Sequence, residues 1–217
     1  METLPKLECV HRLTLMPGMK LICGPGVGIS SDVTFGPGGR VVAERGCLRS
    51  GAEAAPIHLG EGLDFQSYQH ALSGSSAAAV AFGMDLGEIA SGLEGFDGFG
   101  GRMKVVSSGG VTVYDNSNSG LKVSGVEKAL DLASSCSGSL ALVVGEESEA
   151  VCEGMDIPGL VELLRRRRSE IDFLVLVGER LLPYAHELKA VTAKDCSGGL
   201  EMAGGYGKLV SCVKCFR

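Results

Sequence analysis

Hydrophobic and polar positions follow different periods in different parts of the chain. Over residues 1–66, short apolar runs are broken by glycine and proline pairs. Arg12-Leu13-Thr14-Leu15-Met16 and Met19-Lys20-Leu21-Ile22-Cys23 flank Pro17-Gly18, where proline presets φ and glycine permits a positive one. Asp32-Val33-Thr34-Phe35 and Arg40-Val41-Val42-Ala43 flank Gly36-Pro37-Gly38-Gly39 in the same way. The pattern predicts antiparallel hairpins. Over residues 70–96 the period becomes helical. Ala77 to Ala81 favour a helix that Gly83 ends, and Asp85 followed by Glu88 forms a capping-box start. Leu86, Ile89, Ala90, Leu93 and Phe96 then share one face. These two helices are expected to pack on the antiparallel strands.

Residues 95–110 hold Gly95, Gly98, Gly100, Gly101, Gly109 and Gly110, and the spacing predicts a domain boundary there. Beyond it, apolar runs alternate with helical patterns. Residues 111–114 read as a strand. Ser124 with Glu127 reads as a capping box, opening a helix with Val123, Val126, Leu130 and Ala133 on its apolar face. Residues 140–144 and 171–177 are continuous apolar runs, as in strands buried on both faces. Pro158 suits a first helical turn, with Leu160, Val161, Leu163 and Leu164 after it. Leu181, Leu182, Ala185 and Leu188 mark a short helix, and residues 208–216 a last strand. Alternating β and α units predict an α/β fold with a Rossmann-like, mostly parallel sheet.

Composition narrows the function. The chain has 217 residues and a formal charge of −6, against the clustered Lys and Arg that a nucleic-acid surface needs. No apolar run is long enough to span a bilayer, and Met1-Glu2-Thr3-Leu4-Pro5-Lys6 is no signal-peptide core, so a cytoplasmic protein without a membrane partner is expected. The eight cysteines are scattered, which fits reduced thiols better than a disulfide scaffold. Cys212 and Cys215 form a lone Cys-x-x-Cys. Residues three apart in a strand face opposite ways, so no metal site is expected.

The chemistry-bearing segment is Gly100-Gly101-Arg102-Met103 followed by Asp115-Asn116-Ser117-Asn118-Ser119-Gly120. Open α/β sheets bind ligands beyond the carboxyl ends of their strands. A loop of short donors and acceptors there suits a ribose or phosphate, and equally a plain polar cap for the next helix. Arg102 could clamp a phosphate or be a solvated linker arginine. Arg165-Arg166-Arg167-Arg168 reads as the solvated, dipole-favoured end of a helix. Cys23-Gly24-Pro25-Gly26-Val27-Gly28 lacks the Lys-Ser/Thr of a phosphate loop, and the sequence contains no such loop elsewhere. The four histidines stand in no catalytic or metal-binding pattern.

The order of these elements resembles the C-terminal half of the Mur ligase family, the ATP-dependent amide ligases of cell-wall precursor synthesis, and their folylpolyglutamate synthetase relatives. Gly83-Met84-Asp85-Leu86-Gly87-Glu88-Ile89, then Leu93, Phe96, Gly98 and Gly101-Arg102-Met103, match a family pattern that closes on Gly-Arg-Met-Glu. Lys104 stands where the family often has Glu, and Asp115 to Gly120 stand where it has Asp-x-Ala-His-Asn-Pro. The resemblance implies that residues 1–98 are part of a central ATPase-type domain, antiparallel strands plus two helices. Residues 99–217 would be the Rossmann-like C-terminal domain. It implies ATP with magnesium, Arg102 on the phosphates and Asp115 on the ribose, with Asn116, Asn118 and Ser119 in the same loop. Asn118 falls where the family has histidine. The phosphate loop and magnesium ligands would come from a missing upstream segment or a separate subunit, and the chain alone would be inactive.

Within the family, the Asn116-to-Gly120 loop and Ser211-Cys212-Val213-Lys214-Cys215-Phe216-Arg217 look most like the methanogen branch that completes a nickel tetrapyrrole, factor F-430. That implies a small-molecule carboxylate or tetrapyrrole substrate, activated as an acyl phosphate. Three other readings stay open: a non-catalytic binding or assembly module of the same fold, a peptide or amide ligase of the cell-wall type, and a redox or metal protein using the cysteines.

Overall fold

The computed structural model describes residues 16–28, 30–147 and 154–216. They form two compact units: Met1–Gly60 with Phe65–Phe96, and Glu61–Asp64 with Asp97–Arg217.

In the first unit, the Pro17-Gly18 turn forms: Gly18 takes φ 85 and the Met19 amide donates to the Met16 carbonyl at 3.1 Å. The first strand of the hairpin expected around it, Arg12 to Leu15, lies outside the described residues; its second strand contains β1 (Ile22–Cys23), which pairs in parallel with β2 (Val33–Thr34). The second expected hairpin is corrected. The Gly36-Pro37-Gly38-Gly39 loop does not reverse the chain, because Phe35 bridges Val41 in parallel. Two positive-φ glycines, at 81 and 77, wind the loop, and the Gly36 amide donates across it to the Val41 carbonyl at 3.0 Å. The antiparallel sheet lies one step later, as a meander of β3 (Val41–Glu44), β4 (Cys47–Ser50) and β5 (Glu53–Pro56).

Helix α1 (Phe65–Ala81) packs across β3, and α2 (Leu86–Gly92) across β4 and β5. Strand β3 is an edge of its sheet, and an edge leaves backbone groups unpaired. Helix α1 supplies the partners at Ala43: the Ser73 hydroxyl accepts from its amide at 2.9 Å, and the Gln69 carboxamide donates to its carbonyl at 3.0 Å. The capping box forms as expected, with Asp85 accepting from the Glu88 amide at 2.8 Å and Glu88 from the Asp85 amide at 3.1 Å.

The second unit is built on a six-stranded sheet, order β10-β9-β8-β11-β7-β6, parallel except for β6. The glycine-rich stretch contributes a strand to this sheet. It holds β6 (Lys104–Ser108), joined to β7 (Val111–Asp115) by a Gly109-Gly110 turn with φ 60 and 83. Two consecutive positive φ values match the right-handed strand twist, and two glycines take them without strain. Strands β8 (Leu140–Glu146), β9 (Phe173–Val177), β10 (Val191–Ala193) and β11 (Lys208–Lys214) follow.

Alternate strand residues feed two cores. One packs Leu142, Val144, Leu176, Val210 and Cys212 against α3 (Val123–Ser134) and α4 (Ile157–Arg167). The other packs Val143, Val175, Val213 and Cys215 beside α5 (Cys196–Met202). Cys212 and Cys215 thus face opposite sides of the sheet, as strand geometry requires.

One local expectation fails in this unit. The Ser124/Glu127 capping box does not form: Lys122 occupies the cap and makes no side-chain bond there. The turn at Asn118 to Leu121, closed by the Leu121 amide on the Asn118 carbonyl at 3.3 Å, delivers Lys122 to the cap and puts Ser124 inside the first turn. The short helix at Leu181 is a 3-10 helix, Glu179–Tyr184, with Pro183 inside it. Proline has no N–H to close an α-helical turn.

The four arginines that close α4 are committed rather than free. Arg165 binds Glu187 at 2.5 Å, Arg166 binds Glu127 of α3 at 2.6 Å, and Arg167 binds Asp131 at 2.7 Å and Glu170. Arg168 donates to the carbonyls of Leu188, Ile171 and Lys189.

Candidate functional site

The segment singled out in the sequence is assembled at the carboxyl end of β7, where an open parallel sheet presents its loops to a ligand. Asp115 is the last residue of β7. Its Oδ2 accepts from the Gly101 amide at 2.9 Å and its Oδ1 from the Ser117 amide at 3.2 Å. Asn118 is 8 % exposed, and its Nδ2 donates to the Gly101 carbonyl at 2.7 Å and to the Asn116 carbonyl at 3.0 Å. Its Oδ1 accepts from the Gly120 amide at 3.0 Å. Flipping this carboxamide would aim its oxygen at two carbonyls, so the network fixes its orientation.

Arg102 follows Gly101 directly. Its side chain is exposed, and its amide donates to the Phe99 carbonyl at 3.1 Å. A Cβ built on Gly120 would lie 3.5 Å from the Arg102 Nη1, so the guanidinium rests over the tip of the loop. On the other side of Arg102, Met103 is buried in the core at φ 52, a conformation rare for a side chain of this size. Asn116 turns inward: its amide donates to the Ser211 carbonyl at 2.8 Å, and its carboxamide to the Gly125 carbonyl in the first turn of α3 at 3.1 Å. Ser119 is half-buried in the loop. Beneath it, the buried Ser117 hydroxyl meets Ser211 at 2.7 Å and accepts from the Val213 amide at 2.9 Å, which ties the loop to the central strand.

A second constellation, which sequence reasoning passed over, lies at the carboxyl ends of β8, β9 and β10. It is a cavity of about 770 Å³ lined by Glu146, Glu147, Glu179, Arg180 and Lys194 among others. Glu146 is buried, and its carboxylate accepts from Arg180 at 2.9 Å and from the Met155 amide at 2.7 Å. Gly145 and Gly178 are obligatory beside it. A Cβ on either would fall 2.0–2.1 Å from a carbonyl oxygen of the neighbouring strand segment. The signal was present in the sequence: Gly-Glu closes each of the two apolar runs, a charge at the carboxyl end of each strand. Among the described residues, no group of three His, Cys, Asp or Glu is placed to hold a metal ion. No helix among them is long and apolar enough to cross a membrane.

The fold is shared with solved ligases. MurF from Acinetobacter baumannii superposes with a TM-score of 0.60 at 18% identity, covering 83% of this chain and 43% of that one. FolC of E. coli, in complex with DHPP and ADP, superposes with a TM-score of 0.56 at 15% identity, covering 85% and 43%. In sequence, the chain is 38% identical over 180 residues to the coenzyme F(430) synthetase of Methanosarcina acetivorans, covering 78% of this chain. The match spans 38% of that relative's length. The family model described as coenzyme F430 synthetase CfbE, C-terminal domain, matches residues 105–215. With half of its length in that match and a Mur-ligase fold beneath it, the chain belongs to the family of the coenzyme F430 synthetase CfbE C-terminal domain.

Proposed function

We propose that this chain is the C-terminal portion of an ATP-dependent, Mur-like ligase of coenzyme F430 biosynthesis, working in the cytoplasm of a methanogenic archaeon. The observation that carries the reading is the placing of Arg102. Its exposed guanidinium lies over the Asp115–Gly120 loop, at the end of the sheet where α/β proteins take nucleotides. The chemistry of the groups fits a nucleotide. Arginine presents a planar fork of donors to phosphate oxygens, and a carboxylate accepts from ribose hydroxyls. It does not fit a magnesium site, since the described residues gather no set of metal ligands. Magnesium and the phosphate loop would come with the rest of the protein, as an upstream segment or a partner subunit. In the same reading, residues 1–98 belong to the central ATPase-type domain and residues 99–217 form the C-terminal domain.

The reaction supplied by such an assembly is carboxylate activation. A substrate carboxylate oxygen takes the γ-phosphoryl group of ATP, giving an acyl phosphate and ADP. A nucleophile then attacks the acyl carbon, and the C–O bond to phosphate breaks with release of inorganic phosphate. In this chain Arg102 neutralises phosphate charge, while Asp115 fixes the nucleoside and the backbone before Arg102.

The test is ADP binding by the complete assembly, with this chain joined by a Gly-x-x-x-x-Gly-Lys-Thr segment. Arg102→Ala and Asp115→Ala are each expected to weaken binding by about tenfold or more. Unchanged affinity in both variants overturns the reading, as does robust ATP turnover by the chain alone.

A further inference from the structure

Asn118 occupies the loop position at which a ligand contact was expected, yet its carboxamide faces the protein. Both of its donor hydrogens are spent, on the carbonyls of Gly101 and Asn116, and its oxygen accepts from the Gly120 amide. The residue is 8 % exposed, which leaves it little surface to offer a ligand. What it grips is informative. The Gly101 carbonyl belongs to the peptide group that carries the Arg102 nitrogen. The Gly101 amide, on the other side of the same Cα, is held by Asp115 at 2.9 Å.

We propose that Asn118 is a positioning residue that acts through Arg102. Together with Asp115, it holds Gly101 at both of its backbone polar groups. That grip fixes Gly101 at φ 72, and the buried Met103 at φ 52 fixes the other flank. Arg102 is therefore presented from a locked backbone, with only its side chain free to adjust. Preorganisation of this kind lowers the ordering cost when an anion binds. The grip stands on geometry alone; its use rests on the nucleotide reading above.

The first measurement needs no nucleotide. The Arg102–Met103 bond is cut by trypsin only when the segment opens locally, because Met103 is buried. In Asn118→Ala, cleavage there is expected to speed up by about tenfold, as its three side-chain hydrogen bonds are lost. Asn118→Asp, which keeps the shape but has no donor, should do the same. Cleavage after Arg45, in the other unit, should stay at the wild-type rate. Leu130→Ala serves as a variant of lowered stability that leaves the grip intact, and it should not show the selective rise at Arg102. Wild-type cleavage at Arg102 in both Asn118 variants overturns the proposal, as does an equal rise in Leu130→Ala.

The second measurement is a double-mutant cycle on ADP binding by the complete assembly. Asn118→Ala should weaken binding in the wild-type background and add no further loss once Arg102 is alanine. An equal loss in both backgrounds means that Asn118 touches the nucleotide itself, and the positioning role falls. If Arg102→Ala leaves binding unchanged, the grip has no use through Arg102; if Asp115→Ala does too, the nucleotide reading fails, and the trypsin result still decides whether the grip exists.

Discussion

The buried carboxylate of Glu146 is bound by the guanidinium of Arg180 at 2.9 Å, joining the end of β8 to the 3-10 helix that follows β9. A carboxylate taken out of water needs charge and hydrogen bonds in return, and removing one partner costs more than the pair contributes when intact. Arg180→Ala should therefore destabilise the second unit by about 3 kcal/mol, at the low end for a broken buried pair because Arg180 is partly exposed. Urea denaturation gives the value. A loss under about 1 kcal/mol would show that the Met155 amide and the neighbouring strand hold Glu146 without it.

Two helix starts that look alike in sequence should respond differently to alanine. Asp85 caps α2 through a complete capping box, so Asp85→Ala should cost about 1 kcal/mol. Ser124 lies inside the first turn of α3 with no capping role, so Ser124→Ala should stay within about 0.5 kcal/mol of wild type. Thermal melts of the two variants make the comparison. Equal losses would mean that the Lys122 boundary of α3 is misplaced.

The thiols should differ widely in reactivity. Cys136 is exposed, and the Tyr114 hydroxyl, then Ser135 and the charge of Lys208, lower its pKa against a smaller effect of burial. Burial pushes the Cys212 thiol well above its ordinary range, and the charges of Asp115 and Cys196 add to that. Because the thiolate is the nucleophile, iodoacetamide near about pH 7.5 should alkylate Cys136 at least about tenfold faster than Cys212. Tyr114→Phe should slow Cys136. Mass spectrometry of timed samples reads both rates, and comparable labelling of the two cysteines would contradict the environments described. The same contact has a partner effect: Tyr114 is pushed up to about 12, chiefly by burial.

Acid should weaken the second unit through Glu170. Arg167 lowers the pKa of this carboxyl from its usual 4.5, with a smaller contribution from Ser134. A carboxyl with a depressed folded-state pKa stabilises the fold above its unfolded pKa. That contribution is lost as pH falls through the folded value. Unfolding followed from neutral pH to well below about 4.5 should show the loss, and Glu170→Gln should remove that part of the slope. The pair is partly exposed, so added salt should shrink the effect. A pH profile unchanged by Glu170→Gln would count against the pairing.

How legible these features were depends on how local their causes are. The buried strands β8, β9 and β11 and the helices α3 and α4 follow from continuous apolar runs and 3.6-residue spacing, which are properties of a few adjacent residues. Strands β4 and β5 were missed because Arg45-Gly46 and Gly51-Ala52 do not carry the strong two-residue turn signatures. Helix α5 was missed because Ser197-Gly198-Gly199 reads as loop. Gly199 sits there because a Cβ would fall 2.6 Å from Val143. In the site, the nearness of Arg102 to the Asp115 loop was expected from family pattern alone. The inward turn of Asn116 and Asn118 was not legible, since it depends on carbonyls 9 and 17 positions away.

The place of β11 also constrains how this molecule can be made. It lies between β7 and β8, so the β6–β7 hairpin and the β8–β9–β10 block share no strand pairing without it. A ribosome delivers β11 after every other strand of the sheet. Until then, the growing chain carries two half-sheets, each with an open parallel edge flanked by apolar faces. Such edges are where foreign strands join. The late strand is thus a kinetic gate on the second unit. Expression slowed or stalled shortly before residue 208 should yield aggregates rather than a smaller folded protein.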